Sequence, residues 1–130
     1  PKASENFNIA ISRPVFASSA HPDHPARSVT DGNRDTSWRA AENRPQEWIM
    51  VDLEGEKPVS RAGIYFAEIT SNPYEISISK NGTSFEVIAA TTGKAVNSFL
   101  DISLTGKTLR YLRIKFPAEP FAIGGISIYA

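Results

Sequence analysis

The chain has 130 residues, of which 41% are hydrophobic and 22% charged, as is typical of one globular domain with its own core. Its 14 lysines and arginines balance 14 aspartates and glutamates, and a formal net charge of zero argues against a nucleic-acid binder. With no cysteine and two histidines, the sequence excludes a thiol nucleophile, a disulfide framework and a thiolate zinc site, and argues against a multi-histidine metal centre.

The sequence shows neither a membrane-spanning segment nor a leader. No run approaches the roughly 18 consecutive apolar residues of a transmembrane helix. Residues 1–6 lack the apolar centre of a signal peptide. We therefore expect residues 1–130 to form a single module, either cut from a larger multimodular protein or left after removal of a leader.

Along the chain, short apolar or alternating runs separated by turn residues predict antiparallel β-structure. The first segment with any helical character, residues 22–31, predicts a turn or two of helix at most. The predicted strands follow in order at residues 48–53, 59–66, 74–79, 85–89, 99–104, 109–116 and 123–129. Nine prolines and eight glycines lie between these runs and mark the turns.

The best-defined element is a hairpin centred on Asn81-Gly82. Residues 74–79 alternate strictly between apolar and polar, so that the apolar side chains share one face. Asn-Gly tolerates the positive φ angles of a tight turn, and residues 85–89 are expected to form the returning strand. Together with the other runs, this predicts an all-β fold, an antiparallel β-sandwich or jelly roll.

A cluster of oxygen-bearing side chains follows residue 30. Asp31, Asn33 and Thr36 fall within one tight loop, in which Gly32 allows the turn. Hard oxygen ligands on a loop suit Ca²⁺, which takes about six to eight of them. The same residues are typical of an Asx-rich turn, whose side chains bond to their own backbone. The pattern alone favours the Asx-rich turn, because Asp-Gly-Asn is common in turns.

Several short patterns occur in order along the chain. They are Asn-Ile-Ala at 8–10, Ala-Ser-Ser at 17–19, His-Pro-Ala at 24–26, Thr-Asp-Gly-Asn-Arg-Asp-Thr-Ser-Trp at 30–38, Trp-Ile-Met-Val-Asp-Leu at 48–53, Tyr-Glu-Ile-Ser-Ile-Ser-Lys-Asn-Gly at 74–82, Arg-Tyr-Leu-Arg-Ile at 110–114 and Ile-Ser-Ile-Tyr at 126–129. This series resembles the discoidin domain, also called the coagulation-factor C-type domain, and most of all its microbial branch, carbohydrate-binding module family 32. The resemblance implies a galactose-binding-like jelly roll.

The resemblance also implies a structural calcium site. In the family the ion is held by a backbone carbonyl, an Asp, an Asx and a Thr, which fall here on Ser28, Asp31, Asn33 and Thr36. A carbonyl and a following Glu near the C-terminal strand usually complete the site. Gly124 keeps the carbonyl, but Gly125 lacks the carboxylate, so we expect weaker calcium binding than in relatives with the Glu.

The resemblance further implies a glycan site on loops at one end of the sandwich, with residues unlike those of galactose-binding relatives. Arg39 stands where those relatives have a His, and Ala-Glu-Ile at 67–69 stands where they supply an Arg. The expected glycan-binding residues are Arg39, Arg44, Glu68, Asn72 and Phe121. Because a guanidinium reads carboxylates or vicinal hydroxyls, we hypothesise a glycan other than terminal galactose, with a uronic or sialic acid as one option. Both arginines are equally compatible with solvated surface charges.

Other residues that could bind a ligand have simpler explanations. Trp38 and Trp48 flank apolar runs and are expected to pack in the core. His21 and His24 lie in a proline-containing loop and are expected to be surface residues or to tie that loop.

The function expected from these features is that of a non-catalytic carbohydrate-binding module that brings an attached glycoside hydrolase to its glycan. Such a module would be secreted, periplasmic or on the cell surface. An enzyme is disfavoured because the sequence has no Gly-x-Ser-x-Gly, His-Glu-x-x-His or glycine-rich phosphate motif. Two alternatives remain, a protein-docking or structural accessory module and a phospholipid-surface binder, although zero net charge argues against the second.

Overall fold

The computed structural model describes residues 7–33, 35–68, 70–91 and 99–130. Its β-structure is organised around two long strands. The strands are β1 (Val15–Ala17), β2 (Glu47–Phe66), β3 (Tyr74–Ser79), β4 (Glu86–Thr91), β5 (Phe99–Phe116) and β6 (Ile123–Tyr129). The long strands β2 and β5, of 20 and 18 residues, pair antiparallel along almost their whole length.

Irregularities in the two long strands divide them between two layers. Residues 47–52 of β2 pair with 111–116 of β5, whereas 57–65 pair with 99–109, and the register shifts between these parts. β1, β3 and β4 extend the first part, and β6 extends the second. The result is an antiparallel β-sandwich, which confirms the predicted fold class.

Four of the predicted strands are parts of two longer strands. The runs 48–53 and 59–66 both lie in β2, and the two runs predicted within 99–116 both lie in β5. The polar residues between the runs continue the strands through irregular stretches, in which Glu54 has φ 65° and Gly106 has φ 81°. A polar stretch with positive φ angles forms either a β-bulge or a turn, so the local sequence pattern did not distinguish a bulge from a turn.

The hairpin predicted at Asn81-Gly82 is confirmed. Gly82 has φ 80°, and its N–H donates to Ser79 Oγ at 2.8 Å. Asn81 Oδ1 accepts the N–H of Thr83 at 2.8 Å, which closes the turn. The returning strand begins at Glu86, one residue later than predicted. By contrast, β1 was not predicted, because three residues are too few for alternation to be recognised.

The core lies between the two layers and is built from alternate residues of the strands. Its largest fully buried side chains are Trp38, Phe66, Phe116, Ile49, Leu53, Ile64, Ile76, Leu104, Leu109, Leu112, Ile114 and Ile123. Trp38 enters from a loop, and its indole stacks on Phe116 with ring centroids 5.9 Å apart. Trp38 is therefore a core residue, as expected, and it anchors the loop that carries it.

The described residues contain one short helix, a 3-10 helix at Ala26–Thr30 within the segment predicted to hold a turn or two. None of the helical structure in the described ranges is long and apolar enough to cross a membrane. Ser28, Val29 and Thr30 are buried, so this helix is held against the sandwich and leads directly into the oxygen-rich loop.

Candidate functional site

A cleft of about 240 Å³ lies between the loop that follows Trp38 and the segment before β6. It is lined by His21, Arg39, Ala40, Ala41, Glu42, Asn43, Pro120 and Phe121. Two backbone hydrogen bonds between Trp38 and Ile123, at 2.8 and 3.0 Å, join the two segments. Because Trp38 is fully buried, this bridge places Arg39 firmly beside the residues that precede β6.

Arg39 pairs with Glu68 at the edge of the cleft. Arg39 Nη1 lies 3.2 Å from Glu68 Oε1, and the same oxygen accepts the N–H of Ala122 at 2.8 Å. The two side chains are 46% and 37% exposed, so both are open to a ligand. The structure thus brings together Arg39, Glu68 and the segment of Phe121, which are three of the five predicted positions.

Phe121 lies on the core side of the cleft. Its residue surface is 4% exposed, and its ring packs against Phe66, Tyr74 and Phe116 with centroids 5.7, 6.4 and 4.9 Å away. Phe121 therefore forms part of a rigid apolar floor and is no exposed stacking platform.

Arg44 faces two carboxylates of its own segment. Its Nε lies 2.6 Å from Glu47 Oε2, and its Nη1 lies 3.5 Å from Glu42 Oε2. It does not belong to the residues that line the cleft. The two guanidinium groups that the acidic-sugar hypothesis invokes, those of Arg39 and Arg44, are each paired with a carboxylate of the protein.

Asn72, the fifth predicted position, lies in the loop before β3 and does not line the cleft. Its backbone N–H donates to Thr70 Oγ1 at 3.1 Å, so this loop is shaped by its own hydrogen bonds.

Six lining residues were not predicted as site residues: His21, Ala40, Ala41, Glu42, Asn43 and Pro120. The N–H of His21 donates to the Arg39 carbonyl at 2.8 Å, which brings the imidazole to the cleft. The local sequence signal was a His-Pro-Asp-His turn, but its pairing with the backbone of Arg39 is known only from the fold. Glu42 and Asn43 share the loop of Arg39, and that proximity was the only signal available for them.

A buried carboxylate supports the wall of the cleft. Glu47 is 2% exposed, and its Oε1 accepts the hydroxyls of Ser18 and Ser19, both at 2.6 Å. Ser19 Oγ accepts the N–H of Ala41 at 3.0 Å, and the Ser19 carbonyl accepts the indole N–H of Trp38 at 3.0 Å. These bonds tie the wall of the cleft to the first residue of β2.

Glu47 stays ionised although it is buried. Burial raises the pKa of its carboxyl, but the hydrogen bonds from Arg44, Ser18 and Ser19, together with the charge of Arg44, outweigh that effect and leave the pKa below its ordinary value. The network is therefore intact in neutral solution, where the carboxylate accepts all of these bonds.

The predicted oxygen-rich loop is compact. Thr36 Oγ1 lies 2.7 Å from Asp31 Oδ2, 2.8 Å from the Asn33 carbonyl oxygen and 3.5 Å from the Ser28 carbonyl oxygen. The loop also contains the predicted Asx turns, since Asp31 Oδ1 accepts the N–H of Asn33 at 2.9 Å and Asn33 Oδ1 accepts the N–H of Asp35 at 2.9 Å. Both interpretations of the sequence thus describe the same loop.

The donor set of this loop fits a hard cation. Oxygens of Ser28, Asp31 and Asn33 surround the Thr36 hydroxyl, and Asn33, Gly124 and Gly125 line one cavity of about 180 Å³. Asp31 supplies the one carboxylate of the predicted set, and no group of three or more His, Cys, Asp or Glu side chains forms among the residues described. The donors suit Ca²⁺, with a low total charge that predicts weak binding.

A sequence profile of the F5/8 type C domain matches residues 14–127. The chain belongs to the F5/8 type C, or discoidin, family. This confirms the resemblance derived from the short sequence patterns. The discoidin domain described here is a non-catalytic module. No curated protein sequence shows a significant match to it.

Solved structures extend the comparison to carbohydrate-binding modules. CpGH89CBM32-4 from Clostridium perfringens, solved with GlcNAc-α-1,4-galactose, has a TM-score of 0.86 and 16% identity over 95% of this chain and 94% of that one. Chitosan-binding module 1 from a Paenibacillus sp. IK-5 chitosanase/glucanase has a TM-score of 0.83 and 25% identity over 95% and 99%. A Streptococcus pneumoniae fucose-binding module, SpX-3, has a TM-score of 0.82 and 17% identity over 95% and 98%. This discoidin domain therefore shares the fold of these modules over nearly its whole length.

Proposed function

We propose that this discoidin domain is a carbohydrate-binding module whose cleft holds a glycan. The observation that carries the proposal is the Arg39–Glu68 pair, a hydrogen-bond donor beside an acceptor at the edge of an open cleft, with both side chains partly exposed. Sugar hydroxyls both donate and accept, so two neighbouring hydroxyls match such a pair. The sugars bound by the Clostridium module and the chitosan named for the Paenibacillus module support this class of ligand.

Each group in the cleft has a distinct role in this proposal. Arg39 donates to vicinal hydroxyls, and Glu68 accepts from one of them while it holds the guanidinium in place. Pro120 and Phe121 are buried residues that form the rigid apolar floor of the cleft, and neither presents an exposed ring for stacking. Arg44 stabilises the wall through Glu47 and does not touch the ligand. A shallow polar site of this kind buries little apolar area, so single-site affinity is expected to be weak.

A glycan-array screen of the purified domain in calcium-containing buffer tests this function. Binding confined to one class of glycan is the expected result, and it would identify the ligand. A blank array from a domain with a cooperative melting transition would contradict the proposal. That outcome would favour the protein-docking alternative, because the fold would be intact while the cleft had no sugar ligand.

We also propose that the oxygen-rich loop holds a structural calcium ion. The residues that would hold it are Ser28 and Gly124 through their carbonyls and Asp31, Asn33 and Thr36 through oxygen atoms. When bound, the ion supplies a cross-link between the loop and the start of β6. Its role is to stabilise the sandwich and not to contact the glycan.

Gly125→Glu is expected to tighten calcium binding by about tenfold or more, because affinity at such loops rises with the number of charged ligands. The site has room for the substitution, since a Cβ at Gly125 would meet only Tyr65 Cβ, at 3.8 Å. The measurements are calorimetric titration with CaCl₂ and the calcium-dependent rise in melting temperature, which follows affinity. Asp31→Ala in both backgrounds is the control and should remove the response. If calcium changes the melting temperature of neither the wild type nor Gly125→Glu, the proposed calcium site is refuted.

We propose, finally, that the domain acts outside the cytoplasm, as a secreted, periplasmic or cell-surface module attached to a glycoside hydrolase. The Paenibacillus module, which is derived from a chitosanase/glucanase, supports such an attachment. A tethered binding module raises the effective concentration of substrate at the catalytic domain, even when its own affinity is modest.

A further inference from the structure

Two charged side chains of opposite sign line the cleft, and each is paired with an oppositely charged side chain outside the lining. Arg39 and Glu42 belong to its lining. Their partners are Glu68, 3.2 Å from Arg39, and Arg44, 3.5 Å from Glu42. The positive charge of Arg39 is therefore already matched, and a carboxylate on a ligand at Arg39 would also approach Glu68.

Arg44 does not fully neutralise Glu42, because its guanidinium also pairs with the carboxylate of Glu47, at a shorter distance. Its Nε lies 2.6 Å from Glu47, which is buried and keeps its charge through the serine hydrogen bonds. Glu42 is 68% exposed, and its carboxylate pairs with Nη1 of the same guanidinium at the longer distance of 3.5 Å. One guanidinium between two carboxylates leaves a surplus of negative charge, and that surplus faces the cleft through Glu42.

We infer that the cleft prefers glycans bearing an ammonium group, accepts neutral glycans less well and discriminates against acidic ones, with Glu42 as the residue that sets the preference. The inference rests on the proposed glycan-binding function and reverses the acidic-sugar hypothesis drawn from the sequence. Its physical basis is Coulombic, since the three carboxylates of Glu42, Glu47 and Glu68 outnumber the two guanidinium groups with which they pair, so a ligand carboxylate would meet surplus negative charge. Amino sugars supply the matching charge.

The test uses ligands that differ in charge on one backbone. Chitotriose, cellotriose and the β-1,4-linked glucuronate trisaccharide are titrated into the domain by calorimetry at one pH, about 6, at which the glucosamine amine is protonated and the glucuronate carboxyl is ionised. Lactose and its 3′-sialylated form provide a second, galactose-ended pair. The expected affinity order is amino, then neutral, then acidic, with about tenfold between the extremes and a smaller span at high salt.

Glu42→Gln should reduce the amino-to-acidic affinity ratio by about three- to fivefold, the effect of one exposed charge. Glu56→Gln is the matched control, since it changes net charge equally at an exposed residue in the middle of β2, and it should leave the ratio unchanged. An acidic ligand that binds more tightly than its neutral counterpart, or equal effects of the two variants, would overturn the inference alone. If no ligand of either series binds the folded wild type, the glycan-binding function fails together with it.

Discussion

Arg39→Ala is expected to abolish detectable glycan binding while the domain stays folded. The guanidinium is the charge-assisted donor at the cleft edge, and loss of such hydrogen bonds costs about 1.5–3 kcal/mol, or about 10- to 150-fold in affinity. For a site that binds weakly, that loss exceeds the measurable range. The melting temperature should change little, because Arg39 is 46% exposed and its ion pair with Glu68 is a surface pair worth about 0–1 kcal/mol.

Two further arginine variants make this prediction specific. Arg61→Ala is the matched control, since Arg61 is similarly exposed and similarly paired, with Asp101, but lies beside Tyr129 at the far end of β6 from the cleft. Its glycan binding should equal that of the wild type. Arg39→Lys keeps the charge but loses the planar fork, so it should bind more weakly than wild type. Undiminished binding by a folded Arg39→Ala domain would show that the glycan lies elsewhere.

Glu47→Ala is expected to lower the free energy of unfolding by about 3 kcal/mol. The substitution removes a carboxylate that accepts hydrogen bonds from Arg44, Ser18 and Ser19, and bonds to a charged group contribute about 1.5–3 kcal/mol each before the freed partners are rehydrated. Urea unfolding, monitored by tryptophan fluorescence, measures the change. Trp38 reports on this region because its indole N–H donates a hydrogen bond to the Ser19 carbonyl. Glycan affinity should also fall, because the wall of the cleft loses its anchor.

Glu86→Ala is the matched control for this stability effect. Glu86 also pairs with a basic residue, Lys107, but the pair is exposed, so its removal should cost less than about 1 kcal/mol. Equal losses in the two variants would mean that burial of Glu47 is irrelevant to its contribution.

The same carboxylate predicts how stability responds to acid. Because the pKa of Glu47 is lowered in the folded state, its contribution is complete above the ordinary carboxyl pKa and is lost as pH falls through the folded value. Asp52 behaves likewise, since hydrogen bonds from Arg110 hold its pKa below the usual range. Glu47→Gln should therefore flatten the acid side of the stability profile, with the remaining slope carried by Asp52 and other carboxylates.

Much of the fold was accessible from the sequence, because strand alternation and turn chemistry act over a few residues. The hairpin at Asn81-Gly82 and the strand at residues 123–129 followed directly from such patterns. The merging of separate runs into β2 and β5 did not follow, since a bulge and a turn use the same polar residues and positive φ angles. β1 was missed because it consists of three residues.

The candidate site divides in the same way. The sequence by itself determined the family, the oxygen-rich loop and the loops that carry Arg39, Glu68 and Phe121, because motif order and composition are properties of the linear chain. Only the tertiary structure decided what these groups do together. It gave Arg39 a carboxylate partner 29 residues away, buried Phe121 in the core and turned Arg44 toward Glu47. A charge that is free in the linear sequence acquires its partner when the chain folds, and that partner decides which ligand the charge can still bind.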